Sequence, residues 1–432
     1  MNKSLIFANS SDLYNRASKI IPTATQTFSK SRMQFPKGKS PDFLKRGHGS
    51  HVWDVDGNEY IDFLMGLLSN LLGYADPDVN SAVVRQLEKG VSFSLATELE
   101  VELAEKIQNL MPSMEMVRFG KNGTDATSAA VRVARAATGK DGVIAIGYHG
   151  WQDWYVGATS RHKGVPQAVS ELTKKVPYND LVALEAMIAR MRDNVACVIL
   201  EPMSVVEPFP GYLKGIREIT EKKGIVLIFD EVVTGFRLAK GGAQELFGVR
   251  PDLTAIGKGM GNGFPISAVG GRRDLMMEFE NVFFSGTFGG EALSLAASIA
   301  VIDKINREDV IGNIWQKGEL LRSGILAEIR KCGLDSAIKL QGVAPWQILS
   351  FDKIHSASAA EVKTFVAVGL ITSGILTTGT FNMSFSHSIE DIEETVSSLA
   401  RIFSALTEEA KVPGLGERLG CPLIEPVFKV RD

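Results

Sequence analysis

Cysteine is scarce in this chain. Cys197, Cys332 and Cys421 are far apart and odd in number, so neither a disulfide framework nor a Cys-x-x-Cys metal site can be assembled from them. Histidine is equally sparse: the 6 residues never fall in a His-x-x-x-His spacing, which disfavours zinc chemistry. No apolar run approaches the roughly 20 residues that span a bilayer. The apolar stretch near the N-terminus, Leu5–Ala8, is too short for the core of a signal peptide. A reducing cytoplasm is therefore the expected location. Charge of one sign is also missing, since 47 Lys and Arg face 50 Asp and Glu for a formal net charge of −3. That balance supports neither a nucleic-acid surface nor a polybasic membrane patch. The glycines of "GKGMGNG" (257–263) are misplaced for a dinucleotide loop, and no Lys-Ser/Thr ending makes them a P-loop. There is no internal repeat and no low-complexity linker.

What is present is an ordinary globular composition, 45% apolar and 22% charged, on 432 residues. Such a chain is long enough for a large core with a second lobe. Between about residues 95 and 300, β-rich runs alternate with helical patterns. The expected strands are 114–119, 142–147, 195–201, 225–230, 253–257, 266–271 and 281–286. In "TDATSAAVRVARAATGK", Ala126, Ala129, Ala130, Val133, Ala134 and Ala137 share one helical face, and Gly139 supplies the stop. Continuous apolar strands separated by helices predict an α/β fold, a mostly parallel sheet covered on both faces. The flanks read differently. A helix is expected at Ser11–Ile20, a hairpin about Gly57-Asn58, a strand in "VAPWQILSF" and a closing helix from Ser388, with Asp391 completing a capping box. The expected organisation is an N-terminal segment (1–60) joining a C-terminal small domain (306–432), around a large domain at 61–305.

In parallel sheets, chemistry gathers beyond the carboxyl ends of the strands. The run Ile225–Phe229 ends in Asp230 and Glu231, Leu253–Ile256 is followed by Lys258, and 195–201 ends at Glu201. A lysine amine in a dry pocket loses its proton readily and attacks carbonyls. A neighbouring carboxylate such as Asp230 can keep a pyridinium nitrogen protonated. At "FGKNGTDATSAAVR" a strand passes through a turn into a helix. The backbone N–H groups of Asn122, Gly123 and Thr124, the Thr124 hydroxyl and the helix dipole suit a phosphate. Tyr148, with His149 beside it, offers a ring to stack on a flat cofactor, and Ser285-Gly286-Thr287 is a second polar turn able to grip a phosphate. Each feature has a plain alternative: a loop lysine, a turn cap, a capped helix entry, a core aromatic.

Taken together, Asn-Gly-Thr-Asp-Ala-Thr, Tyr-His-Gly, Glu-Pro, Asp-Glu-Val-x-Thr-Gly-Phe-Arg, Gly-Lys-Gly and Ser-Gly-Thr resemble class III aminotransferases, pyridoxal-phosphate enzymes of fold type I. Within them, "TGFRLAKGGAQELFGVRPDLTAIGK" and "VWDVDGNEYIDF" are most similar to the branch containing glutamate-1-semialdehyde 2,1-aminomutase. The resemblance runs from about residue 15 to 405 and implies a large domain with a seven-stranded sheet plus a smaller α+β domain built from both chain ends. It implies that Lys258 holds pyridoxal 5'-phosphate as a Schiff base and then shuttles a proton. Asp230 would meet the pyridinium nitrogen, with Val232 on one ring face and Tyr148 on the other. Gly123 and Thr124 would cup the phosphate, with Asn122 where the aminomutases carry serine. Glu201 would stand near the substrate side, and Thr287 would reach the phosphate of a neighbouring subunit, making the active unit a homodimer.

The departures concern the substrate. The Ser-Gly-Val-Ala-Thr-rich gating loop of the aminomutases is replaced by the shorter "WQDWYVGATSRHKGVPQAV", and their Ser-Gly-Asn-Pro by "FGGEAL". Their N-terminal Gly-Gly-Val-Asn-Ser-Pro-Val-Arg is replaced by "TATQTFSKSRMQF". The arginine that many class III transaminases use for an α-carboxylate has no counterpart in "GILTTGTFNMSFSHS". Lys30 or Arg32 is the expected substitute, against the plainer alternative of an exposed loop charge. The expectation is an intermolecular aminotransferase moving an amino group between a small-molecule donor such as glutamate and an aldehyde or ketone. An aminomutase is the nearest rival, and a non-catalytic binding protein on the same fold the rival of another class.

Overall fold

The computed structural model describes residues 5–424. Near the N-terminus, β1 (Leu44–His48), β2 (His51–Asp54) and β3 (Glu59–Asp62) form an antiparallel meander. Asp54 organises the turn expected at Gly57-Asn58. Its carboxylate accepts from the Asp56 and Asn58 amides at 2.9 and 2.8 Å and from the Tyr60 hydroxyl at 2.9 Å. Gly57 takes φ +88°, the left-handed region that a side chain would resist. The first helix runs Ala8–Ala17, a little earlier than its pattern suggests.

The large sheet contains β4 (Met116–Gly120), β5 (Gly142–Ile146), β6 (Thr173–Lys175), β7 (Val195–Leu200), β8 (Val226–Glu231), β9 (Leu253–Ile256) and β10 (Ser267–Gly271). Their order is β4-β10-β9-β8-β7-β5-β6. From β9 to β6 every pairing is parallel, whereas β10 runs antiparallel to both β9 and β4. Strands β5, β7 and β8 are buried along their whole length, which requires cover on both faces. Side chains alternate between those faces. Val143, Cys197, Ile199 and Ile228 meet the alanine face of the helix Gly123–Thr138, while Ile144, Val198, Leu227 and Phe229 meet Leu184, Ile188, Leu213 and Ile216. Ala137 is exposed, so the buried stripe of that helix ends one turn early; Gly139 stops it in the left-handed conformation, φ +65°.

One expected strand is replaced by another. Residues 281–286 join no sheet. Val282 and Phe284 pack against the core while Phe283 is exposed, an alternation that imitates a strand although no strand pairs with it among the described residues. The seventh place goes to Thr173–Lys175, whose polar sequence carries no apolar signature and which is held by parallel pairing to β5.

By packing, the chain divides into two compact units: the stretch up to Asp76 with that from Gly312, and Pro77–Ile311. In the first unit β11 (Ile338–Val343) and β12 (Trp346–Phe351) form an antiparallel pair. Beyond them, β13 (Ile375–Leu376) adds parallel to β3 and β14 (Thr380–Asn382) antiparallel to β12. Residues 63–76 belong with this unit because their backbone bonds to its C-terminal part, with Asn382 N–H donating to Phe63 O and Phe385 N–H to Leu71 O, both at 2.9 Å. Ser388 caps the closing helix Ile389–Glu409 together with Asp391. Ile392, Leu399, Phe403 and Leu406 of its stripe are buried; Ile389 at its entry is exposed. No described helix is long and apolar enough to cross a membrane.

Candidate active site

The adjacent carboxylates at the end of β8 part company because successive strand residues face opposite sides. Asp230, only 6% exposed, lines a cavity of about 190 Å³ at the carboxyl end of the sheet. Glu231 points the other way and is fully buried. It accepts from the Thr234 hydroxyl at 2.9 Å, the Gln244 amide at 3.0 Å and the Ala243 amide at 2.5 Å. Burial raises its carboxyl above the usual range, and those donors oppose the rise. Glu231 is thus a structural anchor for the segment after β8.

Strands β8 and β9 are parallel neighbours with Asp230 level with Ala255, so Lys258, just past β9, lines the cavity that Asp230 faces. Lys258 adopts φ +45°. A left-handed backbone costs a non-glycine residue on the order of 1–2 kcal/mol, a strain that clusters at functional sites.

The loop after β5 supplies the next wall. Tyr148 is 37% exposed and lines the cavity, and its ring meets Tyr155 edge-on at 5.7 Å. His149 is not a second exposed ring beside it. It is 1% exposed, and its Nδ1 lies 2.8 Å from Asp230 Oδ2. The other oxygen of Asp230 accepts the Val232 amide at 3.2 Å. Glu201 is buried at the end of β7, where Oε2 accepts the Tyr148 amide at 3.0 Å. Gly147 makes this approach feasible, because a Cβ there would come within 2.6 Å of the same oxygen.

At the turn after β4, one expectation is corrected. The Asn122 N–H does not face an anion site: Asp125 Oδ2 takes it at 2.7 Å, along with the Lys121 N–H at 3.0 Å. The helix caps itself with its own acid. Gly123 and Thr124 open that helix, where amides lack intrahelical acceptors, and both line the cavity, as does Asn122. Thr124 Oγ1 also accepts the Trp151 amide at 3.3 Å. Val232 sits against Gly123 so closely that a glycine Cβ would meet its methyl at 2.7 Å.

Two residues lie elsewhere. Thr287 is exposed and outside the lining of this chain's own cavity. Arg32 belongs to the other unit, where its guanidinium grips the Asp42 carboxylate and lies 3.6 Å over the Tyr14 ring. The hydrogen bond to Asp42 raises its pKa; its observed partners make it a local brace. The sequence reading missed Thr127, Gly150, Trp151 and Val233, all in the lining. Thr127 donates to the His149 carbonyl at 2.9 Å, and its one-turn spacing from Thr124 is the signal that could have found it.

A mostly parallel sheet with lysine, aspartate and a helix entry converging at its carboxyl edge defines a fold type I pyridoxal-phosphate transferase. Residues 34–403 match the model of the aminotransferase class-III family, and the chain belongs to that family. It is 42% identical over 354 residues to the glutamate-1-semialdehyde 2,1-aminomutase of Methanothrix thermoacetophila, covering 78% of this chain and 80% of that one. To the enzyme of the same name from Syntrophobacter fumaroxidans it is 35% identical over 423 residues, covering 92% and 97%. Among solved structures, an omega-transaminase from Sphaerobacter thermophilus is similar with TM-score 0.83 at 30% identity, covering 93% of this chain and 98% of that one. A transaminase with PLP bound has TM-score 0.86 at 29% identity, covering 95% and 100%.

The cofactor of the family is pyridoxal 5'-phosphate, and the donor set fits it. The cavity offers an amine, a carboxylate and first-turn amides, and the cradle between Gly123 and Val232 is one that a Cβ would fill.

Proposed function

We propose that this protein is an intermolecular aminotransferase, passing an amino group from a small-molecule donor such as glutamate to a separate aldehyde or ketone. The observation that carries the reading is Lys258 and Asp230 lining one cavity with the Gly123-Thr124 helix entry. When bound, pyridoxal phosphate supplies an aldehyde that captures amino groups and a ring that takes up electron density. In this reading Lys258 Nζ would hold the cofactor and carry the substrate's proton. Asp230 would hold a proton on the ring nitrogen, the Gly123 and Thr124 amides would hold the phosphate, and Val232 and Tyr148 would flank the ring. Glu201 stands on the substrate side. Thr287, exposed on its own subunit, contributes to the phosphate site of a second copy in a homodimer.

Transfer between separate molecules is supported by the segment after Trp151. An aminomutase must retain its intermediate, which favours a mobile gate. Here Trp154 and Tyr155 are buried, Trp154 Nε1 donates to Ser128 Oγ at 2.9 Å and the Tyr155 hydroxyl to Gly147 O at 2.8 Å. Trp154 and Tyr155 are thereby tied to the helix Gly123–Thr138 and to the turn after β5. The relatives named as aminomutases favour the second reading, internal amino transfer on glutamate-1-semialdehyde. Half-reactions distinguish them. Donor alone should leave its amino group on the cofactor and release a free keto product, and an added carbonyl compound should reverse this. Rapid isomerisation of glutamate-1-semialdehyde without exchange with external donors would replace the first reading by the second.

A further inference from the structure

We infer that Lys121 and Glu291 are a positioning pair that acts across the dimer: their ion pair fixes the Ser285-Gly286-Thr287 turn of one chain for the phosphate site of the other. The inference rests on the reading that Thr287 serves a second copy.

On its own chain this turn lies in solvent. Ser285, Gly286 and Thr287 are exposed, and so are Phe283 before it and Phe288 after it, an apolar surface of the kind that a partner covers. The turn is nevertheless tethered on both sides. Ahead of it, Arg132 Nη1 donates to Phe283 O at 2.7 Å. Behind it, Lys121 Nζ donates to Glu291 Oε2 at 2.9 Å and to Ser294 Oγ at 3.2 Å. Lys121 stands just before the helix Gly123–Thr138 and Arg132 within it. Both tethers therefore come from the element that opens with the phosphate cup. Glu291 is itself held. At the N-cap of the helix Ala292–Arg307 it accepts the Leu293 amide at 2.7 Å and the Ser294 hydroxyl at 2.6 Å. Burial works against its charge, yet Ser294, Lys121 and the Leu293 amide keep its carboxyl below the usual range. The two side chains are only 18% and 12% exposed, so solvent screens their bond little.

The cup of the same chain does not depend on this pair. Asp125 Oδ2 already takes the Lys121 and Asn122 amides, so the entry to Gly123 and Thr124 stays capped without the Lys121 ammonium. What is lost is a tether of the turn, and the defect falls on the neighbour's site.

Mixed dimers of two differently tagged full-length chains separate the two sites. One chain carries Lys258→Ala, so borohydride fixes pyridoxal phosphate only to the other. Mass spectrometry of the fixed fraction after timed dilution then gives the rate of release from the intact Lys258 site alone. Lys121→Met in the Lys258→Ala chain should speed that release roughly tenfold, the loss expected when a hydrogen bond to a charged group is misplaced. Thr287→Val in the same chain should do likewise, and Lys121→Arg should restore most of the slow release. Lys121→Met in the chain that keeps Lys258 should leave release unchanged. Melting temperature is the control for folding. If Lys121→Met yields no dimer, Glu291→Gln, which removes the charge from the other side, takes its place. An effect of Lys121→Met confined to its own chain's site, equal in both sites or absent while Thr287→Val acts, overturns the inference. If Thr287→Val is silent in the neighbouring site, or mixed dimers do not form, the reading of Thr287 fails instead, and the role of the pair with it.

Discussion

Asp230 and Lys258 close neighbouring parallel strands and line one cavity, although 28 positions separate them in the chain. Their convergence is a consequence of register: Asp230 stands level with Ala255, so the turn after β9 brings Lys258 to the same edge.

Lys258→Ala is expected to leave a folded protein that still takes up pyridoxal phosphate but cannot hold it covalently. Borohydride treatment followed by mass spectrometry should show the cofactor fixed to the wild-type chain and absent from the variant. Turnover should fall by at least about 10²-fold, the scale of a lost positioned proton carrier. Near-normal turnover would remove Lys258 from the centre of the reaction.

Asp230→Asn keeps the shape of the side chain and removes its charge. Amino transfer should decline on the order of a hundredfold or more, since stabilisation of developing charge is lost, while the folded state persists. Unchanged kinetics would make Asp230 a structural residue.

Gly123→Ala tests the contact with Val232. The added methyl meets Val232 at 2.7 Å, and overpacking of this kind costs about 1–3 kcal/mol. The denaturation midpoint should drop accordingly. Adding Val232→Ala should make the pair less destabilised than the sum of the two single changes. Simple additivity would mean that the turn relaxes away from Val232 without cost.

His387 carries a pH dependence of stability. Burial pushes its imidazole down to about 4, where it stacks on Phe63 at 4.5 Å and bonds Ser384. Unfolding returns it to about 6.5, so between these values the unfolded chain binds the extra proton. Stability from this group is present above about pH 6.5 and is lost as pH falls towards 4, up to ~3 kcal/mol. Asp391 is shifted downward, and its own loss falls at lower pH. Denaturant titrations from pH 7 to 4.5 should show this slope in the wild type and a shallower one in His387→Asn. Equal slopes would assign the acid sensitivity to other groups.

The sequence by itself determined six of the seven strands of the large sheet, the helix Gly123–Thr138 that covers it and the strand ends at which Asp230 and Lys258 stand. Apolar runs such as Ile225–Phe229 must be buried on both faces, and a charge that ends such a run must lie at its edge. The hairpin at Gly57-Asn58 and the cap at Ser388 were legible for a similar reason, since each depends on residues close together in the chain. Tertiary structure decided what local chemistry leaves open. Thr173–Lys175 is a strand only because β5 offers it a ladder, and 281–286 is not one because it pairs with no strand among the described residues. Asp230 and Glu231 look alike in the sequence; one faces a cavity and the other a buried set of donors, a difference that arises from which side of β8 each occupies. The bond from His149 to Asp230 joins residues 81 positions apart, and Asp125 withdraws the Asn122 amide by folding back on its own helix entry. Periodicity records which face a residue turns to, but partners are chosen by the fold that brings distant segments together.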